Sequence, residues 1–255
     1  METGTSETGT SMESSRNFAR TRVIACATVI EEMQPLLPAE MSYEILDFGL
    51  HLNPGNLRDT LQKTIDAASA EVDTILLGYG LCSMAVVGLK ATQCTLVVPR
   101  VDDCIAIFLG SRAAYQEQSS QEPGTYYLTK GWIEVSDTPF EEHKRLVERY
   151  GKARADRMIK LMLKHYTRLA YIDTGQYNQE QYRDYARRTA EQFELRFEEI
   201  DGSDTLVKKL IFGPWDDDFV VTPPGQTISY ADFKTSATTT CNLPGVQPPR
   251  PSSAG

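Results

Sequence analysis

Three cysteines and one histidine lie where β-strands are predicted to end. Cys26, Cys82 and Cys104 come at or shortly after the end of separate apolar runs, and His51 follows a fourth run. Because parallel strands end at one edge of a sheet, where open α/β folds bind their ligands, the four side chains should share a crevice. Thiolate and imidazole are ligands of zinc and of iron–sulfur clusters. Their positions therefore predict a metal centre.

Two kinds of metal centre are compatible with these side chains. Cys26, Cys82, Cys104 and His51 could bind zinc tetrahedrally, with zinc–sulfur and zinc–nitrogen bonds of about 2.3 and 2.0 Å. The three cysteines alone could hold a [4Fe–4S] cluster with one iron open to substrate, in which case His51 would be a proton carrier. Ligands on separate strand ends also predict a site that forms only when the fold is complete.

The residues around the cysteines add to this prediction. Gly78, Tyr79 and Gly80 precede Cys82 in a turn whose glycines would let the backbone approach a cofactor closely. Cys82 and Cys104 are each expected at the start of a helix, which would lower the thiol pKa and favour the reactive thiolate.

Three polar residues are candidates for catalysis beside the metal. Arg100 could clamp a carboxylate or phosphate and stabilise a nearby thiolate, and Lys130 supplies a second positive charge. Asp103 is the expected N-cap of the helix that Cys104 opens. This set predicts a small anionic substrate. Tyr127, Asp173 and Asp216 are further polar candidates for the same crevice.

Alternating strand and helix patterns should position these residues. Strands are predicted at residues 22–26, 43–50, 72–77 and 95–99, with helices at residues 27–37, from Pro54 onward, and at residues 105–115. Asn53 is the expected N-cap of the second helix, with Pro54 at its first position. Cys94, at the start of a strand, is expected to be structural because it lies at the opposite edge of the sheet.

The second half of the chain repeats the alternation. A helix or helix pair is predicted at residues 140–165, where His143 and His165 lie among Lys and Arg residues and should occupy a solvated face. The remaining predicted strands are 168–172, 195–200 and 219–222, and the remaining predicted helices are 180–193 and 204–212.

These patterns predict an α/β fold of two linked units, each with a mainly parallel sheet flanked by helices, doubly wound and Rossmann-like. The first unit, residues 20–138, would carry the Cys/His site, and a smaller α/β unit would span residues 139–235. The polar residues 1–19 and the Pro-rich residues 236–255, which include Cys241, are expected to be disordered tails.

The composition of the chain argues against several classes of function. The net charge of -9 argues against general binding to nucleic acid or anionic membranes. No stretch approaches the roughly 18 apolar residues that cross a bilayer, and the first 22 residues lack the apolar core of a secretory signal. An odd count of 5 cysteines fits a reducing compartment. A cytoplasmic location is expected.

Four segments resemble the DUF1638 family, a domain family of unknown function: ILLGYGLC, LVVPRVDDCIAIFLGS, PGTYYLTKGW and GPWDDDFVVTPPG. The resemblance implies an association with anaerobic metabolism and sometimes with corrinoid-dependent methyltransfer, whose proteins become candidate partners. The resemblance also implies that relatives often carry His-Asp-Cys where this chain has Asp102-Asp103-Cys104. A carboxylate thus replaces a possible imidazole ligand or proton carrier.

Three functional hypotheses follow. The first is an enzyme that acts on a small anionic molecule, with the metal as Lewis acid. The second is a non-catalytic metal or cofactor carrier that serves a methyltransfer system. The third is a metal-free thiol redox protein, in which Cys82 could pair with His51 as a base.

Overall fold

The computed structural model of the protein describes residues 17–135, 138–175 and 180–234. The two predicted tails lie outside these ranges, as does Cys241, except that Phe18–Arg20 form a 3-10 helix. Within the described ranges, no helix is both long and apolar enough to cross a membrane.

Five of the described strands form the larger sheet, in the order β2-β1-β3-β4-β8. Strands β1 to β4 run parallel to one another, and β8 runs antiparallel to β4. The bounds are β1 Thr21–Cys26, β2 Ser42–Leu46, β3 Thr74–Gly78, β4 Thr95–Pro99 and β8 Phe219–Thr222. The nearly unbroken apolar sequences of the central strands fit burial on both faces.

A smaller parallel sheet has the order β5-β6-β7 among the described strands, with β5 Thr125–Leu128, β6 Arg168–Asp173 and β7 Arg196–Asp201. Successive residues of β6 point to opposite faces of this sheet. Ala170 and Ile172 therefore join the core of the larger sheet, whereas Leu169 and Tyr171 join a second core. One face of the smaller sheet thus shares the hydrophobic core of the larger sheet.

Helices flank both sheets, as the α/β prediction requires. Their bounds are α1 Ala27–Met33, α2 Pro54–Ala68, α3 Cys104–Phe108, α4 Arg112–Gln121, α5 Lys130–Val135, α6 Pro139–Tyr150, α7 Lys152–Met162, α8 Glu180–Gln192 and α9 Thr205–Phe212. The predicted start of α2 is confirmed, because the Asn53 side chain accepts hydrogen bonds from the backbone N–H groups of Gly55 and Asn56.

The α/β fold class with mainly parallel sheets is confirmed, and three local predictions are corrected. His51 lies in the 3-10 helix Phe48–Leu52, beyond the end of β2. The chain after Cys82 forms turns and no helix. The helix predicted at residues 105–115 is two helices, because Gly110 adopts a φ of 79° and Ser111 caps a new start.

Each sheet includes a strand from the other side of the predicted division at residue 138. Strand β5 precedes that position but pairs with β6 in the smaller sheet. Strand β8 follows it but pairs with β4 in the larger sheet. The division into units at residue 138 stays a prediction.

Replacing Asn53 with alanine should destabilise the protein by about 1 kcal/mol, because two backbone N–H groups at the start of α2 lose their acceptor. Urea unfolding followed by circular dichroism measures this change. Asn56→Ala is the matched control, since the Asn56 side chain is exposed and caps nothing in the described structure. Equal unfolding midpoints for the two variants would contradict the assigned cap.

Candidate functional site

Cys26 ends β1 and immediately precedes α1. The register of the sheet pairs its neighbour Ala25 with Gly78 at the end of β3. A side chain at Gly78 would place its Cβ 2.6 Å from the Ala25 Cβ, so glycine is required for the close approach of these strands. Cys26 is buried, and its Sγ lies 3.4 Å from the Thr28 hydroxyl.

The loop that carries Cys82 is bonded to the loop that follows β4. The Leu81 N–H donates to the Val101 carbonyl at 2.8 Å, and the Cys82 N–H donates to the Asp102 carbonyl at 3.0 Å. A Cβ on Gly80 would lie 2.8 Å from the Val101 oxygen and 2.9 Å from the Asp103 nitrogen. Glycine at position 80 therefore permits the contact between the two loops, and the predicted approach to a cofactor is not needed to explain it.

The backbone at Cys82 is strained. Cys82, Ser83 and Met84 have φ values of 45°, 55° and 73°, in the left-handed region that residues with a Cβ rarely adopt. Each such residue costs about 1–2 kcal/mol relative to the right-handed form. Strain of this kind is concentrated at active sites and ligand clamps, so it marks this turn as a functional candidate.

Cys104 is the first residue of α3, and Asp103 caps that helix as predicted. The Asp103 Oδ1 accepts a hydrogen bond from the Ile105 N–H at 2.9 Å. Burial raises the pKa of the Cys104 thiol well above its usual value, and the charges of Cys82, Asp103 and Cys26 raise it further. The three cysteines from separate parts of the chain therefore lie close enough to interact electrostatically.

The predicted lowering of the thiol pKa values is wrong. Burial, the largest influence, raises the pKa of Cys82 to about 12, and Cys26 and Asp103 add to the rise. The pKa of Cys26 is raised mainly by burial, and hydrogen bonds at the start of α1 offset only part of this effect. The helix after Cys82 does not form, and α3 is too short to outweigh desolvation. All three thiols are protonated at neutral pH.

The His51 ring is part of a stack of aromatic rings near the three thiols. Its ring lies between Phe48, at 5.3 Å between ring centroids, and Tyr79, at 6.0 Å. Burial lowers the pKa of His51, which favours the neutral ring. Its Nδ1 lies 3.1 Å from the Phe48 carbonyl oxygen, which can only accept, so Nδ1 carries the proton and Nε2 keeps a lone pair. A neutral histidine in this tautomer can bind a metal through Nε2.

Tyr79 links the stack to the thiols. Its buried hydroxyl has no hydrogen-bond partner in the part of the chain that the structure describes. Burial raises the pKa of Tyr79 well above its usual value, and Cys26 and Cys82 contribute to the shift. The hydroxyl is therefore an un-ionised donor beside two thiols. Among the described residues, no three His, Cys, Asp or Glu side chains are grouped so that they could hold a metal ion in the present arrangement.

The family comparison agrees with the sequence resemblance for three of the four segments, and GPWDDDFVVTPPG follows the matched residues. A family model described as a protein of unknown function, DUF1638, matches residues 45–211, well over half of the chain. The chain belongs to the DUF1638 family. No curated protein and no solved structure matches it significantly. The part matched to DUF1638 includes His51, Cys82 and Cys104, whereas Cys26 precedes it.

The two basic residues predicted for catalysis in this DUF1638 protein, Arg100 and Lys130, bond to other protein groups. An Nη of Arg100 donates to the Phe219 carbonyl at 3.1 Å, and its side chain lines a polar pocket of about 400 Å³ beside β8. The Lys130 Nζ lies 2.6 Å from a carboxylate oxygen of Glu31. Asp103 alone among the three predicted catalytic residues adjoins the thiols. Two further polar residues form ion pairs, Asp173 with Arg183 and Asp216 with Lys209.

His143 is not on a solvated face, contrary to the prediction. It is 8% exposed, and its Nε2 lies 2.7 Å from an Asp156 carboxylate oxygen. Phe140, His143 and Leu146 are all buried residues of α6, at the spacing of one helix face. This spacing was visible in the sequence and indicates a buried histidine.

Glu32 is a buried acid that sequence reasoning missed. It lies on α1, is 3% exposed, and neither carboxylate oxygen has a hydrogen-bond partner among the described residues. Burial raises its pKa, while the nearby Thr174 and Lys130 offset part of the shift. The protonated form of Glu32 is therefore favoured more in the folded protein than in the unfolded chain.

Glu32→Gln should stabilise the protein at pH 7. Between the ordinary glutamate pKa and the raised folded pKa, the unfolded chain releases its proton while the folded protein retains it, so wild-type stability falls as pH rises. Glutamine cannot ionise, so the variant avoids this loss of stability. The stability difference between variant and wild type should shrink below about pH 4.5, where Glu32 is protonated in both the folded and the unfolded protein. Urea unfolding at pH 4, 5.5 and 7 measures the effect. The exposed Glu40→Gln is the control, and an advantage for Glu32→Gln that does not depend on pH would refute the assignment.

Proposed function

We propose that this DUF1638 protein binds a metal centre through Cys26, Cys82 and Cys104. The observation that carries the proposal is the placement of these thiols at the end of β1, in the turn after β3 and at the start of α3, where Cys26 and Cys82 both influence the pKa of Cys104. The hydrogen bonds from Leu81 and Cys82 to the loop after β4 support it, because they connect two of the three ligands. The strained backbone at Cys82 supports it further.

A metal cation would account for the unfavourable placement of three thiols. Without a cation, burial and mutual repulsion keep the thiols protonated. A metal ion binds the thiolate forms and releases their protons, so it reverses the electrostatic cost of grouping them. No three such side chains are grouped to hold a metal ion among the described residues, so binding would require the cysteine side chains to change rotamer.

Two ligand sets remain open for the bound group. The Nε2 lone pair of His51 fits a zinc site of three cysteines and one histidine. Without His51, the three thiolates fit a [4Fe–4S] cluster. A metal with an open position would supply Lewis acidity. The un-ionised Tyr79 hydroxyl could then donate a hydrogen bond to a ligand, and the His51 Nε2 could accept a proton if it is not a ligand.

A small anionic substrate remains part of the enzyme hypothesis, but the contacts of Arg100 and Lys130 add no support to it. The carrier hypothesis needs only the thiol site. The metal-free redox alternative is less favoured, because thiolates are the reactive form and the pKa of Cys82 is about 12.

Anaerobic purification of the wild-type protein should yield about one zinc ion per chain, or iron with broad visible absorption. Elemental analysis and a visible spectrum distinguish the two. Cys82→Ala should lose the metal, since only two of the three sulfur ligands remain. Cys94→Ala is the matched control, because Cys94 lies at the opposite end of β4 and should leave the metal content unchanged.

Circular dichroism should show that each variant is folded before its metal content is compared. A folded wild-type protein that takes up neither Zn²⁺ nor, with sulfide, Fe²⁺ would overturn the proposal. Equal metal loss in Cys82→Ala and Cys94→Ala would also count against it, since the effect would not be specific to the site.

A further inference from the structure

A pocket of about 500 Å³ lies beside the core of the smaller sheet. It is lined by His143 of α6, by α7 with the turn that follows it, and by the segment between α8 and β7. None of its described lining residues belongs to the thiol site, and its volume falls within the range of small-molecule pockets in proteins. A ligand of this pocket would therefore bind independently of the proposed metal.

The innermost lining of the pocket is apolar. Ile159, Leu163 and Leu195 line it and are buried residues of the core of the smaller sheet. The partly buried Phe193 packs against the same core and also lines the pocket. An apolar group that covered these side chains would be removed from water, which favours its binding.

Three lysines and an aspartate line another part of the pocket, at intervals of four residues: Lys152, Asp156, Lys160 and Lys164. This spacing places them on one side of α7 and of the turn after it. The Lys152 Nζ lies 2.7 Å from one Asp156 carboxylate oxygen, and the His143 Nε2 lies 2.7 Å from the other. The charge of Asp156 is therefore already compensated within the protein.

Lys160 and Lys164 have no such compensation. Both are exposed, and neither forms an ion pair with a carboxylate in the part of the chain that the structure describes. Like charges at this spacing repel each other. An anion bound between the two ammonium groups would remove this repulsion.

Glu194 is the acid that opposes an anion in this pocket. It is an exposed residue of the lining, and it forms no ion pair with the described residues. The described lining thus carries three lysines against two carboxylates, in a chain whose net charge is -9. A local positive surplus on an acidic protein attracts anions.

We propose that this pocket binds a small organic anion, in which a carboxylate or phosphate is attached to an apolar group. The anion would lie between Lys160 and Lys164, and the apolar group would cover Leu163, Phe193 and Leu195. Lysine suits either anion, because its ammonium group acts as a point charge and does not require the planar geometry that arginine recognises. The site goes beyond the proposed metal centre and does not rest on it.

Fluorine NMR titration with 4-fluorobenzoate, 4-fluorophenyl phosphate and uncharged 4-fluorotoluene tests the site. The wild-type protein should bind both anions more tightly than 4-fluorotoluene, because only the anions pair with the lysines. The double variant Lys160→Gln, Lys164→Gln should bind both anions about fivefold more weakly, since two exposed ion pairs are lost. Its affinity for 4-fluorotoluene should be unchanged. The anion that binds more tightly to the wild-type protein shows whether the site prefers carboxylates or phosphate monoesters.

The matched control is the double variant Arg154→Gln, Arg157→Gln. Both arginines are exposed on α7 and lie outside the pocket lining, so the control loses the same charge from the same helix. Its affinity for both anions should stay within about twofold of the wild-type value, because salt screens charges outside the pocket. Glu194→Gln should strengthen anion binding about twofold, because it removes the opposing charge.

Circular dichroism should show that each variant is folded, and the amide resonances of Leu163 and Leu195 should shift when the wild-type protein binds either anion. Absence of anion binding to the wild-type protein would overturn the proposal. Equal losses of affinity in the two double variants would also overturn it, because the anions would then respond only to net charge. Anion binding to a metal-free protein would support this site even if the metal proposal fails.

Discussion

The close contact between the loop after β3 and the loop after β4 is the constraint on which the candidate site depends. Gly80 permits it, because a Cβ at this position would collide with the Val101 carbonyl and the Asp103 backbone. The contact holds Cys82 beside the segment that leads into Cys104. The parallel pairing of β1 with β3 adds Cys26 at the same edge. Backbone packing thus groups thiols that repel one another once ionised.

Desolvation dominates the electrostatics of this group. It raises the pKa of each of the three thiols and of Tyr79, and it lowers the pKa of His51. All of these shifts favour neutral side chains. Free thiolates, the reactive form of cysteine, are therefore disfavoured here, which is the reason for proposing a metal that binds thiolates in preference to thiol chemistry alone.

The smaller sheet contributes to the same region because β6 presents alternate residues to two cores. Packing of the sheets brings β5 and α5 near the 3-10 helix that carries His51. Strand β5 of the first half pairs in the smaller sheet and β8 of the second half pairs in the larger sheet, so the two halves of the chain are joined through both sheets.

Local sequence patterns were sufficient for the α/β class, for the Asn53 and Asp103 caps, and for the strand β4, because these depend on neighbours along the chain. The sequence by itself also placed Cys26, Cys82 and Cys104 near strand ends. Only the tertiary structure decided that the turn at Cys82 is left-handed, that β8 joins the larger sheet, and that the thiol pKa values rise. The physical reason is that burial and loop contacts arise between segments far apart in sequence, and their energies outweigh the helix signals that local reasoning detects.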